Sequence, residues 1–362
     1  MAKSLSILIL TLASITLNAQ SQTVPALAAE IVGNITDDSL QVRALYEWIT
    51  DNIEYDTKLY KKAGRRNVEE FVEMQQPDVV LKDRKAVCMG YSILFTELCK
   101  VIDVPVETVP GYSKSIDPSS GRHQVSEMLH SWNAVKVNEK WYLLDLTWSA
   151  GYVEYDKLKF HKRRNEDYYL SEGENFIARH LPFDPVWQLM DYPLTQREFR
   201  LYQEMPPQRN EVRNFNYKDS LELHFTIEPE IRKILAYERA IAFDPSLDMA
   251  KSSLGYHYMK EGLNYLNQIG EKTKIFQEIK KPEDEIKAIA LKEELLEMFE
   301  ISKKNLLKSR YYYSKIPTIS PFGSIASVQK NNITNNLNSL ASNRSNLMRF
   351  IQSLEKRQLR RR

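Results

Sequence analysis

Cysteine is scarce in this chain: Cys88 and Cys99 are the only two among 362 residues. That excludes a disulfide-stapled framework and, with no C-x-x-C pair present, a zinc site built on cysteines. The 6 histidines are scattered and no H-x-x-x-H pair seeds a metal site, so neither metal nor cofactor is expected. The 11 glycines form no phosphate-cradling loop. Charge of one sign is lacking too: 50 Lys and Arg stand against 48 Asp and Glu, a net charge of +2. Such a balance offers no basic groove, and a nucleic-acid partner is not expected. Past the first twenty residues no hydrophobic run is long enough to span a membrane, so the mature chain should have no span. What is present is an ordinary apolar complement, 43% of residues, enough to bury a core without covalent staples. The length points to two domains.

The first residues read as a processing signal, 1–20. Lys3 supplies the positive start, Ile7 to Leu17 the apolar stretch and Leu17-Asn18-Ala19 a cleavage end. The alternative, a buried N-terminal helix, fits less well because the run has no polar face. The protein is therefore expected to be exported, to a periplasm or the extracellular space. Two cysteines in an exported protein pair by default, yet here the local pattern argues otherwise. Tyr91, Phe95, Leu98 and Ile102 recur at helical spacing, with Cys88 on their stripe. Positions eleven apart on one helix stand roughly 16 Å apart, whereas a disulfide needs Cα atoms within about 7 Å. Both thiols should be free, Cys99 as a small core residue and Cys88 at a helix start.

Along the chain, Asp37, Asp38 and Ser39 offer an N-cap to an amphipathic helix carrying Val42, Leu45, Trp48, Ile49 and Ile53. Residues 56–66 read as a loop, and a short helix near 68–74 should end before Pro77. After the Cys88 helix a strand runs from Val104 towards Tyr112, and Asp117 to Arg122 form a turn-rich loop holding a solvated His123 at its end. Two strands follow, His130–Val137 and Trp141–Trp148, joined at Asn138-Glu139. Met205-Pro206-Pro207-Gln208 marks a boundary, giving a catalytic domain over 21–204 and a mainly helical one over 205–362. Within the latter, Ala240 to Pro245 is similar to one tetratricopeptide-type helix junction, without a second copy. Pro282 opens a long amphipathic segment with Ile286, Ile289, Leu295, Leu296, Phe299 and Leu306. The Asn- and Ser-rich stretch 329–345 reads as a mobile loop or a polar helix cap, and Lys356–Arg362 as a frayed helix end.

Chemistry concentrates around Cys88. A thiol at a helix N-terminus meets unpaired N–H groups and the positive end of the dipole, which favour thiolate. Gly90 would leave room for a substrate or a strand. If Asn138-Glu139 is a two-residue turn, paired positions sum to 277, so Asp145 faces Trp132 and His130 faces Thr147. His130 and Asp145 then share a face as diagonal neighbours, about 7 Å apart at the backbone. Asp145 interrupts the apolar run Trp141 to Leu146, and a carboxylate there needs a partner. His130 is the nearest candidate; the plainer role for Asp145 is that of a cap or turn acid.

These residues carry a resemblance. V-C-M-G-Y at Val87–Tyr91, H-S-W-N at His130–Asn133 and W-Y-L-L-D-L-T-W at Trp141–Trp148 closely resemble the transglutaminase-like superfamily. Trp48-Ile49, Asn52-Ile53 and Tyr55-Asp56 look like its leading helix. Asp167–Leu170, His180-Leu181-Pro182 and Trp187-Gln188-Leu189 look like the closing segment of its bacterial and kyphoscoliosis-peptidase-like branch. The resemblance covers roughly 38–200 and implies an α+β, papain-like core: a helix carrying the Cys packed on a small antiparallel sheet, followed by a mainly α-helical region. It implies Cys88 as nucleophile, His130 as general base and acid, and Asp145 as the residue orienting the imidazole. The Cys88 N–H would form half of an oxyanion hole, with Gln75 or Gln76 as candidate second donors unless they are plain loop residues. Trp132 and Trp148 would wall the site or pack the core, and His180 would be structural near Pro182. The expected function is an exported cysteine acyl-transfer enzyme, peptidase, deamidase or transglutaminase, acting on a peptide or protein substrate through a Cys thioester. The alternative is a non-enzymatic module whose C-terminal helices bind a protein partner.

Overall fold

A computed structural model describes residues 23–62, 68–116, 123–154, 156–201 and 215–361. The expected signal 1–20, the loop 117–122 and the boundary at 205–208 lie outside the described residues. Two compact units emerge: Met1–Pro110 with His130–Glu172, and Gly111–Leu129 with Gly173–Arg362. This differs from a single division at residue 205. The reason is an apolar cluster in the second unit, where Tyr112, Leu181, Phe183, Leu194 and Phe199 pack with Ala240, Leu247 and Ala250.

In the first unit, α1 (Val24–Val32) begins with Thr23 accepting from the Ala26 N–H. Asp37 caps α2 (Asp38–Asn52), whose Val42, Leu45, Tyr46 and Ile49 are buried at helical spacing. β1 (Glu54–Tyr55) precedes α3 (Thr57–Lys62). That helix stands where a loop was expected, started by the Asp56 carboxylate accepting from the Leu59 N–H at 2.8 Å. α4 (Val68–Glu73) is followed by α5 (Pro77–Asp83), β2 (Lys85–Ala86), which pairs in parallel with β1, and α6 (Cys88–Val101). Pro77 begins a helix here; a first-turn proline lacks only an N–H that has no partner anyway. Both cysteines lie on α6 and both are free.

The sheet of this unit runs β5-β4-β3, from β3 (Val106–Ile116), β4 (His123–Val137) and β5 (Lys140–Leu144). His123 opens β4, so the strand starts seven residues before the expected His130, and His123 does not end a loop. Asn138 and Glu139 have φ of 48° and 61°, the left-handed pair that a two-residue hairpin turn requires. The register follows, from Val137↔Lys140 to Asn133↔Leu144. Beyond Leu144 the expected strand does not continue: Asp145 caps α7 (Leu146–Ala150), and an unforeseen hairpin of β6 (Gly151–Glu154) and β7 (Lys159–Lys162) follows. The core joins Leu27, Leu45, Ile49, Tyr91, Phe95 and Leu98 to Val135 and Leu144, so the Cys88 helix packs on the antiparallel sheet.

In the second unit come α8 (Gly173–Phe176) and β8 (His180–Pro182), the latter antiparallel to Gly111–Ser113 of β3. Helices α9 (Gln196–Leu201), α10 (Tyr217–Phe225), α11 (Pro229–Phe243), α12 (Asp248–Thr273), α13 (Pro282–Ala290), α14 (Lys292–Ser314) and α15 (Gly323–Arg361) complete it. The segment after Pro282 breaks at Leu291 into two helices. Residues 329–345 are neither loop nor cap but the middle of α15. The C-terminal end of α15 is tied down, Arg361 and Arg357 both facing Glu285. Among the described residues no helix is long and apolar enough to cross a membrane.

Candidate active site

Helix α6 starts on Val87, a side chain that cannot cap. The missing acceptor arrives from another segment: Gln75 Oε1 takes the N–H of Val87 and the N–H of Gly90, each at 3.1 Å. One carboxamide thus grips the backbone on both sides of Cys88. Cys88 is the first residue of the helix, at the positive end of its dipole. Gln75 is fully buried, and its Nε2 has no partner among the described residues. Gln76 behaves differently, donating from Nε2 to the Val72 carbonyl at 3.1 Å while its backbone starts α5. Of the two glutamines, only Gln75 is brought to the Cys88 turn.

Gly90 does not wall an opening. It is buried, and a Cβ built on it would meet Gln75 Oε1 at 2.7 Å, Ala86 Cβ at 2.8 Å and Val80 Cγ2 at 3.1 Å. The space that its missing side chain leaves is taken by protein.

His130 enters from β4. Its Nε2 lies 2.7 Å from Asp145 Oδ2, with His130 7% exposed and Asp145 fully buried. The other Asp145 oxygen, Oδ1, accepts from the Trp148 N–H at 3.0 Å. The carboxylate is therefore a helix cap and an imidazole partner at once, standing one residue past the last ladder pair, Asn133↔Leu144. Its backbone N–H is held by the Tyr168 carbonyl at 3.0 Å. Burial pushes the His130 pKa down, but the charge and hydrogen bond of Asp145 outweigh it, and a hydrogen bond with the Cys88 side chain adds to them, so the pKa is raised to about 10. With Nε2 turned to Asp145, Nδ1 is the nitrogen available to the sulfur.

Two indoles flank the imidazole. The Trp132 ring centroid is 5.9 Å away and that of Trp148 5.4 Å. Trp132 is completely buried and acts as packing behind His130. Trp148 is half-buried and backed edge-on by Tyr168 at 5.3 Å. Asn133, quoted in the motif but given no task by the sequence, is fully buried. Its Nδ2 donates to the Ser92 carbonyl at 3.1 Å and to Thr96 Oγ1 at 2.9 Å, both on α6. It ties the Cys88 helix to the strand that carries His130. The signal was available: a polar side chain inside the apolar strand Trp132–Val137 needs a partner as much as Asp145 does. His180, in the second unit, is buried and stacked on Phe176 with centroids 4.1 Å apart.

Parts of this chain are similar to known proteins. Residues 25–146 match the model of the transglutaminase-like superfamily. The match starts earlier than the resemblance at 38 suggested and so includes α1. Kyphoscoliosis peptidase of Mus musculus is 35% identical over 173 residues, 48% of this chain and 25% of that protein. Hillarin of Drosophila melanogaster is 27% identical over 186 residues, 48% of this chain and 21% of that protein. The matches thus span about a quarter of the length of these curated relatives. Among solved structures, a TGase crystal structure covers 38% of this chain and 35% of its own at 16% identity, with a TM-score of 0.28.

Proposed function

We propose that this chain, whose residues 25–146 carry a transglutaminase-like superfamily domain, is an exported cysteine acyl-transfer enzyme acting on a peptide or protein through a Cys88 thioester. The observation that carries the reading is His130, buried between the Asp145 carboxylate at 2.7 Å and the Cys88 side chain. An imidazolium held on one side by a carboxylate and facing a sulfur on the other is what a thiolate nucleophile needs. The sulfur adds to the carbonyl carbon of a peptide bond or a glutamine carboxamide. The resulting oxyanion receives the Cys88 N–H and Gln75 Nε2, the spare donor of the carboxamide that spans the Cys88 turn. His130 gives its proton to the departing amine or ammonia as the C–N bond breaks. The neutral imidazole then takes a proton from the acceptor that attacks the thioester, and Cys88 leaves as thiolate. Water as acceptor gives a peptidase or deamidase, an amine gives a transglutaminase. Hydrolysis is the preferred outcome: no lid that would exclude water was evident in the sequence, and one relative is named a peptidase.

The test is chemical and needs no natural substrate. Iodoacetamide at mildly acidic pH should label the native protein once, at Cys88. Cys99 is fully buried, and burial drives its thiol pKa far above the ordinary range. In His130→Ala the labelling at that pH should fall to the rate of an ordinary thiol. A native protein that takes up no label, or a His130→Ala variant that labels as fast as wild type, would defeat the reading. A screen of peptides and glutamine-bearing proteins, with and without a labelled amine, then separates hydrolysis from transfer.

A further inference from the structure

We infer that Gly90 is a positioning residue of this site: its missing side chain is the seat of the Gln75 carboxamide, and through that seat it aims the second oxyanion donor. The inference rests on the acyl-transfer reading above and deepens it. Three observations meet at this residue. The Gly90 N–H donates to Gln75 Oε1 at 3.1 Å, shared with the Val87 N–H at the same distance. A Cβ on Gly90 would lie 2.7 Å from that same oxygen, inside the closest approach that real Cβ atoms make. Gln75 is fully buried with its Nε2 unpartnered among the described residues. A carboxamide is planar, so fixing Oε1 against two backbone donors leaves Nε2 little freedom except rotation of the whole side chain. Any side chain at position 90 must displace the oxygen and swing the amide with it. Glycine is therefore required here by the approach of the Gln75 side chain. Its conformational freedom plays no part, because Gly90 sits in ordinary helix.

Two reagents distinguish positioning from packing. p-Nitrophenyl acetate acylates the thiolate through a tetrahedral oxyanion: the sulfur–carbon bond forms, the ester C–O bond breaks and p-nitrophenolate leaves. Iodoacetamide alkylates the same sulfur by displacing iodide, with no oxyanion. In Gly90→Ala the acylation rate should fall about 10- to 100-fold, short of the full loss of one oxyanion donor because the amide is displaced and not removed, while alkylation stays within about twofold of wild type. In a Gln75→Ala background, adding Gly90→Ala should change acylation by less than about threefold, because the group it acts through is already gone. A Gly90→Ala variant that slows both reagents equally, or that costs as much with Gln75 absent, would overturn the inference and leave the acyl-transfer reading intact. Wild-type protein that alkylates but is never acylated would overturn both. Folding also decides: if Gly90→Ala fails to fold but Gln75→Ala/Gly90→Ala folds, the clash is with Gln75, as inferred. If neither folds, the contacts with Ala86 and Val80 dominate and Gly90 is a packing residue.

Discussion

Both units bury polar side chains, and they use them differently. In the second, two buried serines and a buried glutamate close on their own surroundings. Ser302 Oγ donates to the Gly262 carbonyl at 2.7 Å and Ser309 Oγ to the Gly255 carbonyl at 2.6 Å, joining α14 to α12. Glu285 receives Gln358 at 2.9 Å and Arg361 at 2.8 Å. In the first unit, Gln75, Asp145 and His130 each reserve an atom for the Cys88 site. Gln75 caps α6 with its oxygen and keeps Nε2; Asp145 caps α7 with Oδ1 and holds His130 with Oδ2; His130 meets Asp145 with Nε2 and turns its other nitrogen to Cys88. Burial of polarity alone thus does not mark a site, since structural networks do the same. A buried group that builds the fold with one atom and leaves another for chemistry is the sharper sign.

The largest effects should follow from removing the groups around Cys88. Cys88→Ala should abolish acyl transfer, a loss on the order of 10⁴-fold or more, and leave the far-ultraviolet circular dichroism unchanged. Turnover that survives would put the chemistry elsewhere. Asp145→Asn should lower turnover on the order of 10⁴-fold, because an amide stabilises the wrong imidazole tautomer. Asn caps a helix about as well as Asp, so its melting temperature should fall less than that of Asp145→Leu. The leucine variant loses the cap as well, about 1 kcal/mol, and leaves the imidazole without its carboxylate.

Next in size is a dependence on pH. The folded state raises the His130 pKa from 6.5 to about 10, so it binds the proton more tightly than the unfolded chain. Its contribution to stability is complete below about pH 6.5 and is lost as pH climbs through about 10. The loss has a slope of at most about 1.4 kcal/mol per pH unit. Wild type should therefore lead Asp145→Asn most at pH 6 and progressively less towards pH 10, other titrating groups cancelling between the two. Chemical denaturation of both proteins at four or five pH values measures it. A constant gap would mean that His130 is not held as imidazolium by Asp145.

Much of the site was legible because its signals are local or periodic. The Cys88 stripe on α6 and the Asn138-Glu139 turn each follow from a few neighbouring residues, and the turn carried the register through Asn133↔Leu144. The reading failed where one residue serves two elements. Asp145 was weighed as either a cap or a partner for His130; its two oxygens make it both, and the cap is what ends β5 early. Gln75 and Gly90 stand fifteen residues apart, and no pattern in either segment reveals that one fills the other's missing side chain. Helix α15 was missed for another reason. Its Asn and Ser content reads as loop by propensity, yet Ala326, Ile333, Leu340 and Leu354 are buried and Leu347 is packed beside them, a strict seven-residue repeat. That repeat was the signal, and composition concealed it.

The smallest effects should come from the helical unit. Gly255 and Gly262 on α12 are seven apart, as are Ser302 and Ser309 on α14, so each glycine meets one serine, about two turns apart along the seam. A Cβ on Gly262 would meet Leu306 Cγ at 2.8 Å and the Ser302 carbonyl oxygen at 3.2 Å. Gly262→Ala should then destabilise this unit by about 1–3 kcal/mol as the two helices are forced apart. Ser302→Ala should cost less, about 1 kcal/mol, because the carbonyl it releases can keep its own helical hydrogen bond. Neither variant removes an atom from Cys88, His130, Asp145 or Gln75, so acyl-transfer rate per folded molecule should hold within about twofold. Thermal denaturation followed by circular dichroism gives the first quantity, and titration of alkylatable Cys88 normalises the second. If Ser302→Ala lowered the rate per reactive thiol by tenfold, the serines of the seam would be coupled to the chemistry and the distinction between closed and reserved polar groups would fail.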